Sequence, residues 1–201
     1  MSTGVVAWLD RSRRRTPVDH ALAARAVTDL IRALGADPRD PHLAETPRRV
    51  ASAYAELLTR EEFEPTTFPN DEAYDELVLV RDIPFRSLCE HHLLPFHGVA
   101  HVAYLPGDRL VGLSKLARIV HLFASDFQVQ ERLTGQVADW LEDHLDPYGV
   151  GVVLQAEHLC MTLRGATAVG SRTVTSALRG TLREDDRARD EFFRLALGGD
   201  R

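Results

Sequence analysis

Cys89 and His92 are separated by two residues, a spacing typical of metal ligands, within the segment Ser87-Leu88-Cys89-Glu90-His91-His92. A thiolate and an imidazole both suit zinc, which they bind at about 2.0–2.3 Å. Two protein ligands are too few, so a third must come from elsewhere. Cys160 is the obvious candidate, because it is the second of only two cysteines. Spacing alone leaves another interpretation open, in which two buried cysteines stand beside surface histidines.

The segment from Val150 to Arg164 is predicted to be one β-strand, since its first half is strongly apolar. Alternate residues of a strand share a face. One face of this strand would therefore carry four polar side chains, those of His158, Cys160, Thr162 and Arg164. That combination is unusual for a core or a random surface, and it suits the wall of an active site.

Three ligands and an open position are the catalytic rather than the structural form of a zinc site. Bound zinc lowers the pKa of its water towards about 7, which provides a hydroxide nucleophile. His91 and His158 lie beside the ligands in the sequence and can move protons near neutral pH. These residues predict metal-assisted hydrolysis.

A second group of residues could bind an anionic substrate. Gly112-Leu113-Ser114-Lys115 is predicted to begin a helix, with Ser114 as its N-cap. Lys115 and Arg118 share a face near that N-terminus, where free N–H groups and the helix dipole favour phosphate. An ordinary helix start with solvated charges is the alternative. The other candidate phosphate ligands are Arg164 and Arg49.

Glu131 could accept hydrogen bonds from the ring N–H and the amino group of guanine. Zinc-assisted hydrolysis of a phosphorylated purine is therefore consistent with these residue types. They do not by themselves determine the reaction.

The composition limits the class of protein. The 201 residues are 44% hydrophobic and 27% charged, so the chain can build a core. A formal net charge of −6 disfavours a general nucleic-acid-binding protein. No apolar run reaches membrane-spanning length, and two cysteines do not form a disulfide framework. We expect a cytoplasmic, reducing location, without a membrane or nucleic-acid partner.

The predicted elements divide the chain into three parts. Residues 1–16 form a flexible N-terminal arm, residues 17–75 form a helical segment followed by an acidic linker from residue 60, and residues 76–201 form the catalytic domain. The first helix should bury an apolar stripe that comprises Val27, Leu30, Ile31 and Leu34. Two strand pairs separated by two helices give the order β-β-α-α-β-β. This pattern predicts an α+β fold with an antiparallel sheet.

The sequence resembles the GTP cyclohydrolase I family over about residues 20 to 195. The matching stretches, in their correct order, are residues 87–92 (SLCEHH), 112–120 (GLSKLARIV), 128–134 (QVQERLT), 157–161 (EHLCM) with Arg164-Gly165, and 171–180 (SRTVTSALRG). The resemblance implies the tunnelling fold, a β-β-α-α-β-β unit, with helices on one face of the sheet. It also implies a toroidal homodecamer with active sites between subunits.

For the chemistry, the resemblance implies zinc on Cys89, His92 and Cys160. Zinc-activated water would attack C8 of GTP while His158 protonates the imidazole ring with help from His91. Formate would be released, and the product would be 7,8-dihydroneopterin triphosphate, in the first step of pterin and folate synthesis. Gln130 and Glu131 would recognise guanine. The triphosphate would be held by Ser114, Lys115, Arg118 and Arg164, with Arg49 a weaker candidate.

Two departures from the family pattern, Asp126 and the lysine-free loop 166–170, predict less positive charge near the triphosphate. Three alternative functions stay open. The chain could be a paralogue that supplies the same product to a deazapurine pathway. It could be a catalytically silent protein that binds zinc and GTP. It could also be a nitrile reductase of the same fold, although zinc on both thiols would exclude the cysteine nucleophile that this chemistry needs.

Overall fold

The computed structural model describes residues 17–198, so the predicted N-terminal arm lies outside the described residues. The helices are α1 (His20–Ala33), α2 (Thr46–Leu58), α3 (Leu113–Ala124), α4 (Gln130–Leu145), α5 (Leu159–Thr162), α6 (Thr181–Glu184) and α7 (Asp186–Leu197). The strands are β1 (Thr67–Pro69), β2 (Val78–Cys89), β3 (Pro95–Leu105), β4 (Arg109–Val111), β5 (Phe127–Gln128), β6 (Gly149–His158) and β7 (Thr173–Gly180).

The main sheet has five strands in the order β5-β2-β3-β6-β7. The pairs β2–β3, β3–β6 and β6–β7 are antiparallel, whereas the two-residue strand β5 runs parallel to β2. The sequence β2-β3-α3-α4-β6-β7 is the predicted β-β-α-α-β-β unit, and the α+β class is confirmed. The predicted antiparallel sheet is present, with the two-residue parallel strand β5 added at its edge.

The helices α3 and α4 bury their apolar stripes against one face of the sheet. Leu116, Ile119, Leu133 and Trp140 are fully buried in this layer together with sheet residues such as Phe96 and Val152. Contrary to the prediction of helices on one face alone, α7 covers part of the other face. There Phe192 and Ala196 pack with Ala103 and Val153.

The course of β2 and the start of helix α3 both bear on the site. Strand β2 runs through Pro84 to Cys89, and Pro84 pairs with Val99. A proline is tolerated there because the other side of β2 has no strand until β5 joins at Leu88. Helix α3 begins at Leu113 with Gly112 as its N-cap, so Ser114 is inside the helix and not its cap.

The segment interpreted as a linker packs against the catalytic domain. Phe63 is buried and its ring lies 6.1 Å from that of Trp140. Arg60 forms an ion pair with Asp126, in which both side chains are largely buried. The charge of Asp126 is therefore compensated inside the chain by Arg60.

Helix α1 does not bury its predicted stripe within the chain. None of its residues is buried, and Leu30 and Leu34 are 56% and 76% exposed. Within residues 17–198, no helix combines the length and the apolar character needed to cross a lipid bilayer.

Candidate metal centre and active site

Cys89, His92 and Cys160 meet in space, as the sequence predicts. Their ligand atoms all lie within 4.8 Å of one another, and Cys89 Sγ is 3.6 Å from His92 Nδ1. Zinc bonds of about 2.3 Å to sulfur and 2.0 Å to nitrogen at a tetrahedral angle place these atoms about 3.5 Å apart. The described geometry therefore fits a metal ion of this kind without rearrangement of the pair.

Local structure positions each of the three ligands. Cys89 ends β2, and the tight turn that follows is closed by hydrogen bonds from Leu93 N to Cys89 O and from Cys89 N to Leu94 O, both 2.9 Å long. This turn directs His92 back towards the sulfur of Cys89. The cluster is accessible on one side, since Cys89 is 6% exposed while His92 is exposed.

Cys160 reaches the cluster by a different route from the one predicted. Strand β6 ends at His158, and Cys160 lies in the helical turn α5. The prediction of an unbroken strand with His158, Cys160, Thr162 and Arg164 on one face is therefore wrong. The turn still keeps these residues close to the strand end, and Arg164 Nη1 donates to Cys160 O at 3.1 Å.

The electrostatics of the two thiols favour a cation between them. Burial raises the pKa of the Cys160 thiol, and the adjacent Cys89 raises this pKa further. A divalent cation stabilises neighbouring thiolates and reverses this effect. The donor set of two sulfurs and one imidazole is typical of catalytic zinc sites, which keep one position open.

His158 is held beside the cluster by two contacts. Its ring stacks on that of Phe96, with centroids 4.5 Å apart and planes 2° from parallel. Its Nε2 lies 2.7 Å from Oε1 of Gln130. Burial lowers the pKa of His158, and the charge of Glu131 acts in the opposite direction.

The side chain of Gln130 is 1% exposed, and its amide nitrogen donates to other protein groups. These contacts do not support the prediction that the Gln130 side chain reads guanine. Glu131, the next residue, is exposed in the first turn of α4, so its carboxylate is accessible to a ligand.

Glu90 links the metal-binding turn to helix α4. Its Oε2 accepts from Arg132 Nη2 at 2.7 Å, and its Oε1 lies 3.8 Å from Nε2 of the exposed His91. Arg132 also donates to Phe127 O and to Gln128 Oε1. Arg132 and Phe96 are not among the site residues predicted from the sequence. The register that places Phe96 opposite His158 is the signal that could have identified Phe96.

The predicted phosphate ligands of helix α3 are not brought to the metal cluster. The C-terminal end of α3 lies near the cluster, because Ser87 Oγ donates to Ala124 O at 2.6 Å. Ser114 is ten residues earlier, which is about 15 Å along a helix. Lys115 Nζ lies over the ring of Phe63, 5.5 Å from its centroid.

Arg118 is six residues before Ala124, which is about 9 Å along a helix. It lines a cleft of about 610 Å³ between α2, β2 and α3, together with Arg86 and His121. Arg49 is exposed in the first turn of α2. Within the described chain, the candidate metal ligands therefore lie near the C-terminal end of α3, whereas Ser114 and Lys115 lie in its first turn.

The fold and the site define an α+β protein with a Cys-His-Cys cluster that could hold a metal ion, beside the half-buried His158. The sequence matches the family described as GTP cyclohydrolase I over residues 23–197. It is 49% identical over 181 residues to GTP cyclohydrolase 1 of Aquifex aeolicus, covering 90% of this chain and 98% of that protein. It is 53% identical over 186 residues to GTP cyclohydrolase 1 of Mycolicibacterium vanbaalenii, covering 89% of this chain and 91% of that protein. The chain belongs to the GTP cyclohydrolase I family.

A solved structure described as the archaeosine synthase QueF-Like in the apo form aligns more distantly. The alignment covers 52% of this chain and 93% of the chain in that structure, with a TM-score of 0.42 and 16% sequence identity.

Proposed function

We propose that the protein hydrolyses GTP at C8 of the imidazole ring, releases formate and forms 7,8-dihydroneopterin triphosphate. This reaction would be the first step of pterin and folate biosynthesis. The observation that carries the proposal is the cluster of Cys89, His92 and Cys160 next to the half-buried His158, in a chain of this family.

We assign zinc as the metal because two thiolates and an imidazole match its preferred ligands. When bound, zinc would supply a Lewis acid that activates water for attack at C8. The free cysteines require a reducing compartment, which supports a cytoplasmic location.

The proton transfers belong to the histidines. His158 is close enough to the ligands to protonate the imidazole ring of the substrate as the ring opens. His91 is more exposed and can exchange protons with solvent, with the Glu90 carboxylate 3.8 Å away. Glu131 would bind the guanine N–H and amino groups, and Arg164, which follows Cys160 on the same turn, would hold a phosphate.

Ser114, Lys115 and Arg118 would bind the triphosphate of a GTP molecule seated on another copy of the chain. This assignment follows from their separation from the metal cluster within one chain. It agrees with a toroidal homodecamer whose active sites lie between subunits. Arg49 would contribute from the exposed start of α2.

Incubation of the purified protein with zinc and GTP tests the proposal. We expect stoichiometric formate and a product that becomes a fluorescent pterin on oxidation. The variant His158→Ala should lose turnover by several orders of magnitude but keep zinc and the assembly state of the unmodified protein. Absence of both formate and pterin from the zinc-loaded protein would refute the proposal and favour a silent zinc- and GTP-binding protein.

A further inference from the structure

Both ends of the Gln130 amide are engaged by the protein. The nitrogen Nε2 lies 3.1 Å from Leu154 O, 3.0 Å from Thr173 O and 3.1 Å from Thr175 Oγ1. The oxygen Oε1 lies 2.7 Å from His158 Nε2. The side chain is thus fixed between β6, β7 and the catalytic histidine.

The direction of these hydrogen bonds follows from the chemistry of the acceptors. Leu154 O and Thr173 O are carbonyl oxygens, which can only accept, so the amide nitrogen and not the oxygen must face them. The hydroxyl of Thr134 donates its proton to Gln130 O at 2.7 Å. In the contact between the two hydroxyls, Thr175 Oγ1 must therefore donate to Thr134 Oγ1. Thr175 is then free to accept from Gln130, in agreement with the orientation that the carbonyls require.

With its nitrogen directed at the carbonyls, Gln130 presents only an acceptor to His158. The facing ring atom, Nε2, must therefore carry a proton. The stacking of the ring on the fully buried Phe96 holds the plane of the imidazole in line with the Gln130 oxygen.

We propose that Gln130 is a positioning residue that holds His158 as the Nε2–H tautomer, so that His158 gives and takes its catalytic proton at Nδ1. This inference rests on the proposed function only in that it takes the proton transfer by His158 to be part of catalysis. When the ring carries protons on both nitrogens, it transfers the Nδ1 proton to the substrate ring nitrogen and becomes neutral. The Nε2 proton and its bond to Gln130 stay in place throughout.

An amide suits this role better than a carboxylate. A glutamate at position 130 would place negative oxygens against two carbonyl oxygens in a buried site, which is strongly unfavourable.

Neutron diffraction from deuterated crystals of the unmodified protein tests the tautomer directly, with or without activity. We expect a deuteron on His158 Nε2 directed at Gln130 Oε1. A bare Nε2 with the deuteron on Nδ1 would overturn the inference even if GTP is hydrolysed. A correct tautomer in a protein that does not hydrolyse GTP would instead refute the proposed function alone.

Kinetics then separate positioning from substrate recognition. For Gln130→Met we expect the single-turnover rate of formate release at saturating GTP to fall at least tenfold, while KM for GTP changes less than twofold. The same substitution at the half-buried Gln155, Gln155→Met, is the matched control and should change neither value. A raised KM with an unchanged rate would show that Gln130 reads the base, and the inference would fail. If Gln130→Met does not assemble, the neutron result decides.

Discussion

Among single residues, Arg132 is expected to set the affinity of the metal site although it is not a ligand. It donates to the Glu90 carboxylate within the turn that carries Cys89 and His92, and to the main chain of Phe127. Loss of groups that orient metal ligands typically lowers metal affinity by 10–100-fold. We therefore predict a zinc affinity about 10-fold or more weaker for Arg132→Leu, measured by competition with a chelator.

The control for this prediction is Arg39→Leu. Arg39 is an exposed arginine that also pairs with an acidic side chain, Asp37, but it precedes helix α2 and does not contact the metal-binding turn. Its replacement should leave zinc affinity unchanged. Equal zinc affinity for Arg132→Leu and the unmodified protein would show that the turn is held without this contact.

His101 is expected to make stability depend on pH. It is 3% exposed in β3, its Nδ1 accepts from Asp82 N at 3.3 Å, and its Nε2 is buried without a partner among the described residues. Burial lowers the pKa of His101, with smaller opposing and reinforcing effects from Asp82 and Arg81. A proton therefore binds the unfolded chain more readily than the folded one.

The resulting stability is fully present above the unfolded pKa of about 6.5 and is lost as the pH falls from there towards the lower folded pKa. One such proton contributes a slope of at most about 1.4 kcal/mol per pH unit. His101→Asn keeps an acceptor for Asp82 N but cannot titrate. Urea midpoints at pH 7.5 and 5.5 should thus differ less for this variant than for the unmodified protein. Identical pH dependence would exclude His101 as the source.

At the scale of elements, the close approach of β3 and β6 beside the site should tolerate no side chain at Gly98. A Cβ atom there would lie 1.9 Å from Gln155 O and 2.7 Å from Ala156 Cα, both backbone atoms that cannot move independently. Gly98 is two residues from Phe96, which stacks on His158 across the same strand pair. Gly98→Ala should reduce the unfolding free energy by about 2 kcal/mol or more and should also reduce turnover.

Gly135→Ala is the matched control, because a Cβ at this position in helix α4 meets nothing within 4 Å. The same substitution there should stabilise the protein by about 0.5–1 kcal/mol and leave turnover unchanged. Thermal and urea unfolding of the two variants measure the contrast. A Gly98→Ala protein as stable as the unmodified one would show that β3 and β6 can separate without cost.

The same elements show how far the sequence determines the site. Helices α3 and α4 and the strand pairs were predictable because their apolar residues repeat at 3.6 or 2 positions. The proximity of Cys160 to Cys89 and His92 agrees with the prediction, but the strand parity that supported it ends at His158. Leu159 to Thr162 carry no local signal that separates a helical turn from a strand. Contacts across long sequence separations, such as Arg60 with Asp126 or Gln130 with His158, depend on the completed fold and leave no periodic pattern.

For the whole molecule, several exposed features are consistent with burial against other copies of the chain. Helix α1 leaves Leu30 and Leu34 exposed, although they belong to one apolar stripe. Strand β7 pairs only with β6 on the described sheet, so its outer edge is open, as is most of the outer edge of β2. Open strand edges and apolar helix faces are the surfaces that symmetric association covers.

The separation of Lys115 from Cys160 makes this association testable through activity. Suppose that each site combines the metal cluster of one copy with Lys115 and Arg118 of another. Cys160→Ala then damages the part supplied by the first copy, and Lys115→Ala damages the part supplied by the second. Each variant alone should be nearly inactive. In mixed oligomers formed by co-expression, about one quarter of the sites would combine an intact cluster with an intact Lys115, if the two chains assort at random. Activity should therefore return to roughly that fraction of the unmodified value.

Co-expression of Cys160→Ala with His92→Ala is the control, because both changes damage the cluster that a single chain supplies. No mixture of these two can rebuild an intact cluster, so activity should stay absent. Each variant carries a different affinity tag, and purification of the oligomers through both tags in series confirms that they contain both chains. Verified mixtures of Cys160→Ala and Lys115→Ala that stay inactive would show that one chain must supply both groups. Bound GTP would then have to span the distance from the metal cluster to Lys115 within one chain, since the packing of the fully buried Leu116, Ile119 and Val120 against the sheet holds helix α3 in place.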